Sequence, residues 1–307
     1  MKSMYTSIVI LLMSFTISAQ QGSLPIIDMH LHSYDEASYF VAPDEYGRMA
    51  PSTADDHFDK TYNIMQRNHI VLGVISNTES SEDAWLAKDK DKRFLRGVGF
   101  FSDSWTPEKF EQLVKSGKID IFGEIGAYYS GRTLADLFYA PYLKICEQYG
   151  IPVAIHTGGG PPEINYHGAP NARLILGNPL LIEDVLVKYP KLKIYLMHAG
   201  VVFYNEALRL MVAYPQVYAD LGVVLWVHPM PKYYGKEFLS RAKDFGLLDR
   251  VMFGSDQMVW PHAIEMSLKR LESFDFLSQK QKRDILYNNA ARFLNLSQQV
   301  IDRHHNR

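Results

Sequence analysis

The chain has 307 residues, enough for one large domain or two small ones. Hydrophobic residues make up 47% and aromatics 13%, the composition of a globular protein with a sizeable core, which excludes a disordered chain. The formal net charge of −2 leaves no basic excess, so no nucleic-acid partner is expected.

The first residues read as a targeting segment. Lys2 is followed by the mostly apolar run Ile8 to Ile17, and Ala19 offers a small residue before Gln20. A run of roughly ten residues suits a secretory signal and falls short of the ~20 needed to span a bilayer. Residues 1–19 are therefore expected to be a cleaved signal peptide and residues 20–307 a single domain. This predicts an exported protein, periplasmic or secreted, with no membrane span in the mature chain. Cys146 is the only cysteine, so no intramolecular disulfide can form, and its helical surroundings predict a buried small hydrophobe.

After this segment, apolar strand-like runs alternate with amphipathic helical stretches. The expected strands are Ile26-Ile27, Ile70 to Ser76, Leu95 to Phe101, Ile121 to Gly126, Pro152 to His156, Lys193 to His198, Val217 to Asp220 and Arg250 to Gly254. Between them lie helical patterns over Ala54 to Arg67, Pro107 to Ser116, Leu134 to Tyr149, Pro179 to Tyr189, Tyr204 to Ala213 and Lys236 to Phe245. Two more follow, His262 to Phe274 and Gln279 to Leu294. Short apolar runs suit strands buried on both faces, and strict alternation implies parallel pairing through crossover helices. The count and even spacing favour a single (β/α)8 TIM barrel over an open doubly wound sheet; such a barrel takes ~250 residues. The long connections Ser33 to Thr53 and Thr157 to Asn178 both follow strands, which places them at the face where barrels build active sites.

The chemistry begins at His30-Leu31-His32, directly behind Leu24-Pro25-Ile26-Ile27 and Asp28. Residues two apart on a strand share a face, so the two imidazoles emerge side by side. On the same frame Glu124 sits on the fourth strand, His156 ends the fifth, His198 ends the sixth and Asp256 follows the eighth. Singly, each has a commoner role: a hydrogen-bonded core histidine, a carboxylate paired with an arginine, an aspartate capping a helix. All lie at the C-terminal ends of their strands and converge on one mouth, where imidazole and carboxylate are ligands suited to zinc.

The chain resembles the amidohydrolase superfamily, and more narrowly the amidohydrolase-2 branch that includes the aminocarboxymuconate-semialdehyde decarboxylases and several lactonases. The matching text is Ile27-Asp28-Met29-His30-Leu31-His32, Gly123-Glu124-Ile125-Gly126, Ile155-His156-Thr157-Gly158-Gly159, Met197-His198-Ala199-Gly200, Phe253-Gly254-Ser255-Asp256 and Asn288-Asn289-Ala290-Ala291-Arg292-Phe293. The resemblance implies that His30, His32, His156 and Asp256 bind the catalytic metal, with His198 acting as base, electrophile or ligand of a second ion. Glu124 occupies the strand-four position that in the superfamily goes with two metals. Zinc is the expected cation, one ion or two, with other divalent metals as alternatives. Gln257-Met258-Val259-Trp260-Pro261 is longer than the branch's usual short turn, a departure that bears on the substrate more than on the metal.

The expected activity is hydrolysis of an amide, ester or lactone by a metal-activated water, with Asp256 shuttling the proton and His198 polarising the carbonyl. The alternative within enzymes is non-oxidative decarboxylation of an unsaturated or aromatic acid. That reaction calls for an arginine on the substrate carboxylate, for which Arg48 and Arg173 in the long loops are the candidates. A non-catalytic secreted metal-binding protein is the alternative outside enzymes. Further candidate contacts to a small-molecule substrate are His167 and His228, with Tyr34, Tyr128, Trp226 and Trp260 as stacking surfaces or rim filling. His304 and His305 lie in a polar tail expected to fray, and a homo-oligomer is compatible with the sequence.

Overall fold

Thr53, Thr78 and Thr106 start three helices in the same way. Each hydroxyl accepts the backbone N–H three residues on, from Asp56 at 3.1 Å, Ser81 at 3.3 Å and Lys109 at 3.2 Å. They open α1 (Ala54–Arg67), α2 (Glu79–Lys88) and α3 (Pro107–Lys115). Acidic residues in the first turn and a basic residue in the last suit the helix dipole in all three. The remaining helices are α4 (Ala140–Tyr149), α5 (Glu183–Lys188), α6 (Tyr204–Ala213), α7 (Met230–Asp244), α8 (Ala263–Glu272), α9 (Gln279–Arg283), α10 (Asn289–Phe293) and α11 (Gln298–His305).

The computed structural model describes residues 24–99 and 105–306. The expected signal peptide and the end of the expected third strand, Phe100 and Phe101, lie outside the described residues.

Among the described residues eight strands alternate with the helices: β1 (Ile26–His32), β2 (Ile70–Ser76), β3 (Phe94–Arg96), β4 (Phe122–Ile125), β5 (Val153–His156), β6 (Ile194–Met197), β7 (Val217–Asp220) and β8 (Val251–Met252). All the ladders are parallel, which makes the fold α/β. Pairing runs β1-β2-β3 in one sheet and β4-β5-β6-β7-β8 in another. Isolated backbone contacts join their edges: a Gly97–Ile121 bridge at one seam, and Met29 N–H to the Phe253 carbonyl (2.9 Å) at the other. Three residues in β3 and two in β8 are too few to carry a continuous ladder across those seams.

Several elements differ from the expected pattern, among them α2, which has no counterpart in the expected helices, and α7, which starts at Met230 rather than Lys236. The helix read from Leu134 starts at Ala140, because the preceding residues form successive turns pinned by Asp136, whose carboxylate accepts the Phe138 N–H. The long helix read over Gln279 to Leu294 is split into α9 and α10 by a π-helical segment, Asp284–Asn288. The expected frayed tail is instead α11, capped by Ser297, with His304 buried and its Nδ1 3.0 Å from the Tyr287 hydroxyl. A partner seventeen places back along the chain decides that outcome, and no local pattern announces it.

Helices pack on the sheets through aromatic contacts such as Phe58 on Phe94 and Phe110 on Phe122, and on each other through Phe58 on Trp85. A second core gathers Ile27, Met29, Ala154, Tyr195 and Met252 of the strands with Phe293 of α10. Cys146 is buried in α4, as expected. Among the described residues no helix is long and apolar enough to cross a membrane.

Candidate metal centre

Asp28, His30 and His32 alternate along β1 with the buried apolar Ile27, Met29 and Leu31. The imidazoles are held by lacing β1 to the segment after β8. Asp28 Oδ1 accepts the N–H of His30 (3.1 Å) and of Ser255 (2.9 Å). The Gln257 amide grips both backbone groups of His32, accepting at 3.0 Å and donating at 2.8 Å. Asp256 N–H donates to the His30 carbonyl at 2.8 Å. This stitching sets Asp256 opposite the paired histidines. Its Oδ1 lies 3.1 Å from His32 Nε2 and 3.7 Å from His30 Nε2.

Glu124 stands between two groups of imidazoles. Its Oε2 is 3.4 Å from Nε2 of both His30 and His32, and its Oε1 is 2.7 Å from His156 Nδ1 and 3.2 Å from His198 Nε2. His156 Nδ1 and His198 Nε2 are 3.0 Å apart, and His198 Nδ1 is 3.5 Å from Asp256 Oδ2. The six residues read from the strand ends are thus brought together in one cluster.

Asp220, at the end of β7, orients two of them. Its Oδ2 faces His30 Nδ1 at 3.0 Å, while Oδ1 accepts the N–H of His198 and of Gly222, both at 2.9 Å. With both oxygens engaged, Asp220 sets the His30 tautomer and leaves Nε2 free to coordinate, the usual outer carboxylate of a metal-bound histidine. Two glycines make room for His30. A Cβ on Gly222 would lie 2.6 Å from His30 Nδ1, and one on Gly254 would lie 2.9 Å from His30 Cβ.

Electrostatics favour ionised carboxylates. Burial opposes charge on Asp256, but His30, His32 and His198 hold its pKa at about 2. Burial likewise opposes Glu124, which His30 and hydrogen bonds from His156 and His198 hold well below the usual carboxylate range. For His30 burial is overcome by Asp256, Asp220 and Glu124, which raise its pKa well above the usual value. His198 is also raised, by Glu124 and Asp256 against burial, whereas burial and the neighbouring His198 lower His156.

The residues fit a divalent cation. His30 Nε2, His156 Nε2, His198 Nδ1 and Asp256 Oδ1 are buried and make no hydrogen bond. Such groups are costly unless something pairs with them. Among the described residues three sets could each hold an ion: His30, His32 and Asp256; Glu124, His156 and His198; and His30, His198 and Asp220, with donor atoms within 4.8 Å of one another in each set. We favour the first two, because Asp220 already orients His30.

Aromatic residues wall the cluster. The Tyr128 ring stacks on His156 at 5.7 Å, and its hydroxyl accepts the Gly160 N–H at 3.2 Å. Tyr129 lies 5.0 Å from the His156 ring, and Tyr34 lies 6.4 Å from the His32 ring. Burial, reinforced by Glu124 and Asp256, pushes the hydroxyls of Tyr34 and Tyr129 above the usual range, so both stay protonated.

The loop candidates are engaged elsewhere. Arg48 pairs with Asp44 at 2.6 Å, and Asp44 also holds His262 at 2.9 Å. Arg173 donates to the carbonyls of Pro170 and Ala172, and His167 is an exposed neighbour of Glu163. His228 lies on the rim, its N–H bonded to Glu45 and its ring 6.2 Å from Tyr46. Trp226 and Trp260 brace the mouth through bonds to the Ser255 and Ala42 carbonyls. The sequence reading did not single out Asp220, Gln257 or Tyr129. Asp220 carried the same strand-end signal as the others; for Gln257 and Tyr129 there was no local signal.

Imidazoles and carboxylates gathered at the C-terminal ends of parallel strands make a candidate metal centre on an α/β scaffold. The chain belongs to the amidohydrolase family, whose family model matches residues 27–296, and that family is metal-dependent. Among solved structures it is similar to an uncharacterized TIM-barrel protein from Bordetella bronchiseptica, with a TM-score of 0.64 and 21% identity over 89% of this chain and 99% of that one. It is also similar to a probable 2-pyrone-4,6-dicarboxylic acid hydrolase from Acinetobacter baumannii, with a TM-score of 0.61 and 16% identity over 89% and 100% of the two chains. A third similar structure is the 5-carboxyvanillate decarboxylase of Sphingomonas paucimobilis, with a TM-score of 0.58 and 14% identity over 90% and 100%. The curated protein fluG of Emericella nidulans is 24% identical over 164 residues, which is 48% of this chain but only 18% of that protein's length.

Proposed function

We propose that the protein is a metal-dependent hydrolase acting on the uncharged carbonyl of an ester, lactone or amide. The observation that carries this reading is that, among the described residues, no lysine or arginine pairs with the carboxylates of the cluster. Among the described residues, the side-chain partners of Glu124, Asp220 and Asp256 are all histidines, and both candidate arginines are committed elsewhere. Residues 100–104, just beyond β3, contain neither lysine nor arginine. A substrate recognised by its carboxylate calls for a cationic arm, so decarboxylation of an aromatic acid is the less supported reading. Relatives of this fold include both a hydrolase and a decarboxylase, so fold does not choose between them.

His30, His32 and Asp256 would hold one cation, and Glu124, His156 and His198 a second; zinc is the ion proposed. When bound, a divalent cation supplies Lewis acidity and a water that ionises near neutral pH. Asp256, ionised and beside His30 and His32, accepts the proton of the attacking water and returns it to the leaving group. In a one-ion form His198, facing Glu124 and Asp256, is instead placed to polarise the carbonyl. We propose further that residues 1–19 act as an export signal, which would put this activity outside the cytoplasm.

Elemental analysis of purified wild type, His30→Ala, Asp256→Asn and Glu124→Gln tests the centre, alongside an ester and lactone panel and CO2 release from aromatic acids. Wild type should carry at least one equivalent of zinc that His30→Ala loses, and should cleave acyl substrates without releasing CO2. A second equivalent lost in Glu124→Gln would establish the two-ion form. Metal-free wild type, or CO2 release without acyl cleavage, overturns the reading.

A further inference from the structure

The hydrolase reading gives the substrate oxygen a polarising partner in His198 or a second cation, and leaves its further hydrogen-bond donors unassigned. Three tyrosines flank the cluster, and their hydroxyls are not equivalent. Tyr128 is buried, and its hydroxyl is held as the acceptor of the Gly160 N–H. Tyr34 is buried among the rings of Tyr39, Phe40 and His57. Tyr129 is partly exposed, and among the described residues its hydroxyl has no hydrogen-bond partner.

The Tyr129 ring occupies a slot that only small residues permit. A Cβ on Gly126 would lie 2.8 Å from its Cδ2, and one on Gly160 would lie 2.8 Å from both its Cε1 and its hydroxyl. Gly126 directly follows β4 and Gly160 lies in the connection after β5, so the ring is wedged between the two strand ends that carry Glu124 and His156. Its face lies 5.0 Å from the His156 ring. A phenol fixed by its ring and free at its oxygen, beside a metal-ligand imidazole, is a preorganised donor.

Resting on the hydrolase reading above, we propose that Tyr129 is a catalytic residue whose hydroxyl donates a hydrogen bond to the carbonyl oxygen of a bound neutral acyl substrate, strengthening as that oxygen gains charge. Gly160 is the positioning residue that keeps the hydroxyl in place. The bond is made to an oxygen that carries no charge in the ground state, which matches a site whose carboxylates, among the described residues, pair with no lysine or arginine. No covalent step is assigned to Tyr129; the proton stays on the phenol.

The test compares zinc-loaded wild type, Tyr129→Phe and Gly160→Ala. Phenylalanine keeps the ring in its slot and removes only the oxygen. Alanine at Gly160 keeps the oxygen and pushes it aside. Removal of one such donor costs a factor of roughly 100 in kcat, so Tyr129→Phe should lose about that much on a p-nitrophenyl ester, with KM changed less than about threefold. Calorimetry with phenyl methylphosphonate, a tetrahedral mimic, should show binding weakened at least about tenfold in both variants, with zinc content and Tm unchanged. Wild-type kcat and phosphonate affinity in Tyr129→Phe overturn the role of Tyr129 and leave the hydrolase reading intact. A wild type that neither cleaves the ester panel nor binds the phosphonate overturns both.

Discussion

Replacing Asp220 by asparagine tests whether the cluster depends on an orienting carboxylate. The change is nearly isosteric, but it removes the charge and turns one acceptor oxygen into an NH2 donor. In the native site Oδ2 takes the proton of His30 Nδ1 at 3.0 Å, and Oδ1 takes two backbone N–H groups at 2.9 Å. An amide can satisfy one set only. With its oxygen toward His198 and Gly222, the NH2 faces His30 Nδ1 and forces the proton onto Nε2, the atom needed for the metal. With its oxygen toward His30, the NH2 opposes two buried N–H donors, each costing about 1–3 kcal/mol when left unpaired. The first arrangement lowers metal affinity by roughly 10–100-fold, the usual scale for an outer ligand, or about 1.4–2.7 kcal/mol. The second lowers stability instead. Chelator-competition titration with zinc and a thermal melt of the apo-protein separate the two, and at least one must move. Wild-type zinc affinity together with wild-type Tm would refute the reasoning.

Two further outcomes follow from named contacts. His57 is fully buried, bonded through Nε2 to the Met258 carbonyl at 2.9 Å, and burial lowers its pKa to about 4. Its folded pKa is below the unfolded ~6.5, so the stability it contributes is present above pH ~6.5 and is lost as pH falls toward ~4, about 3 kcal/mol in all. Denaturant melts across that window should show a shallower loss for His57→Gln, and parallel slopes would remove His57 from the acid limb. Gly222→Ala places a Cβ 2.6 Å from His30 Nδ1 and 3.0 Å from Asp256 Cβ. It should cost at least about tenfold in zinc affinity, the outer-ligand scale again; unchanged affinity in chelator competition would show that the backbone there can give way.

Much of the fold and most of the cluster were legible along the chain, because their signals are short-range. The period of two that puts His30 and His32 on one face needs three residues, and the cap of α1 needs Thr53 and Asp56. Alternation of strands and helices then implied that residues as far apart as Glu124, His156, His198 and Asp256 share one end of the sheet. Tertiary structure alone decided how they meet. Asp220 resembled any strand-end aspartate until its two oxygens were seen to divide between His30 and the backbone of His198 and Gly222. Arg48 and Arg173 looked available because a sequence does not show which arginines are already paired, and Asp44 and two backbone carbonyls had claimed them. His304 reads as a loose tail until Tyr287 is placed against it. Residue type and local period determine what a side chain can do; packing between distant segments determines which of its atoms remain free to do it.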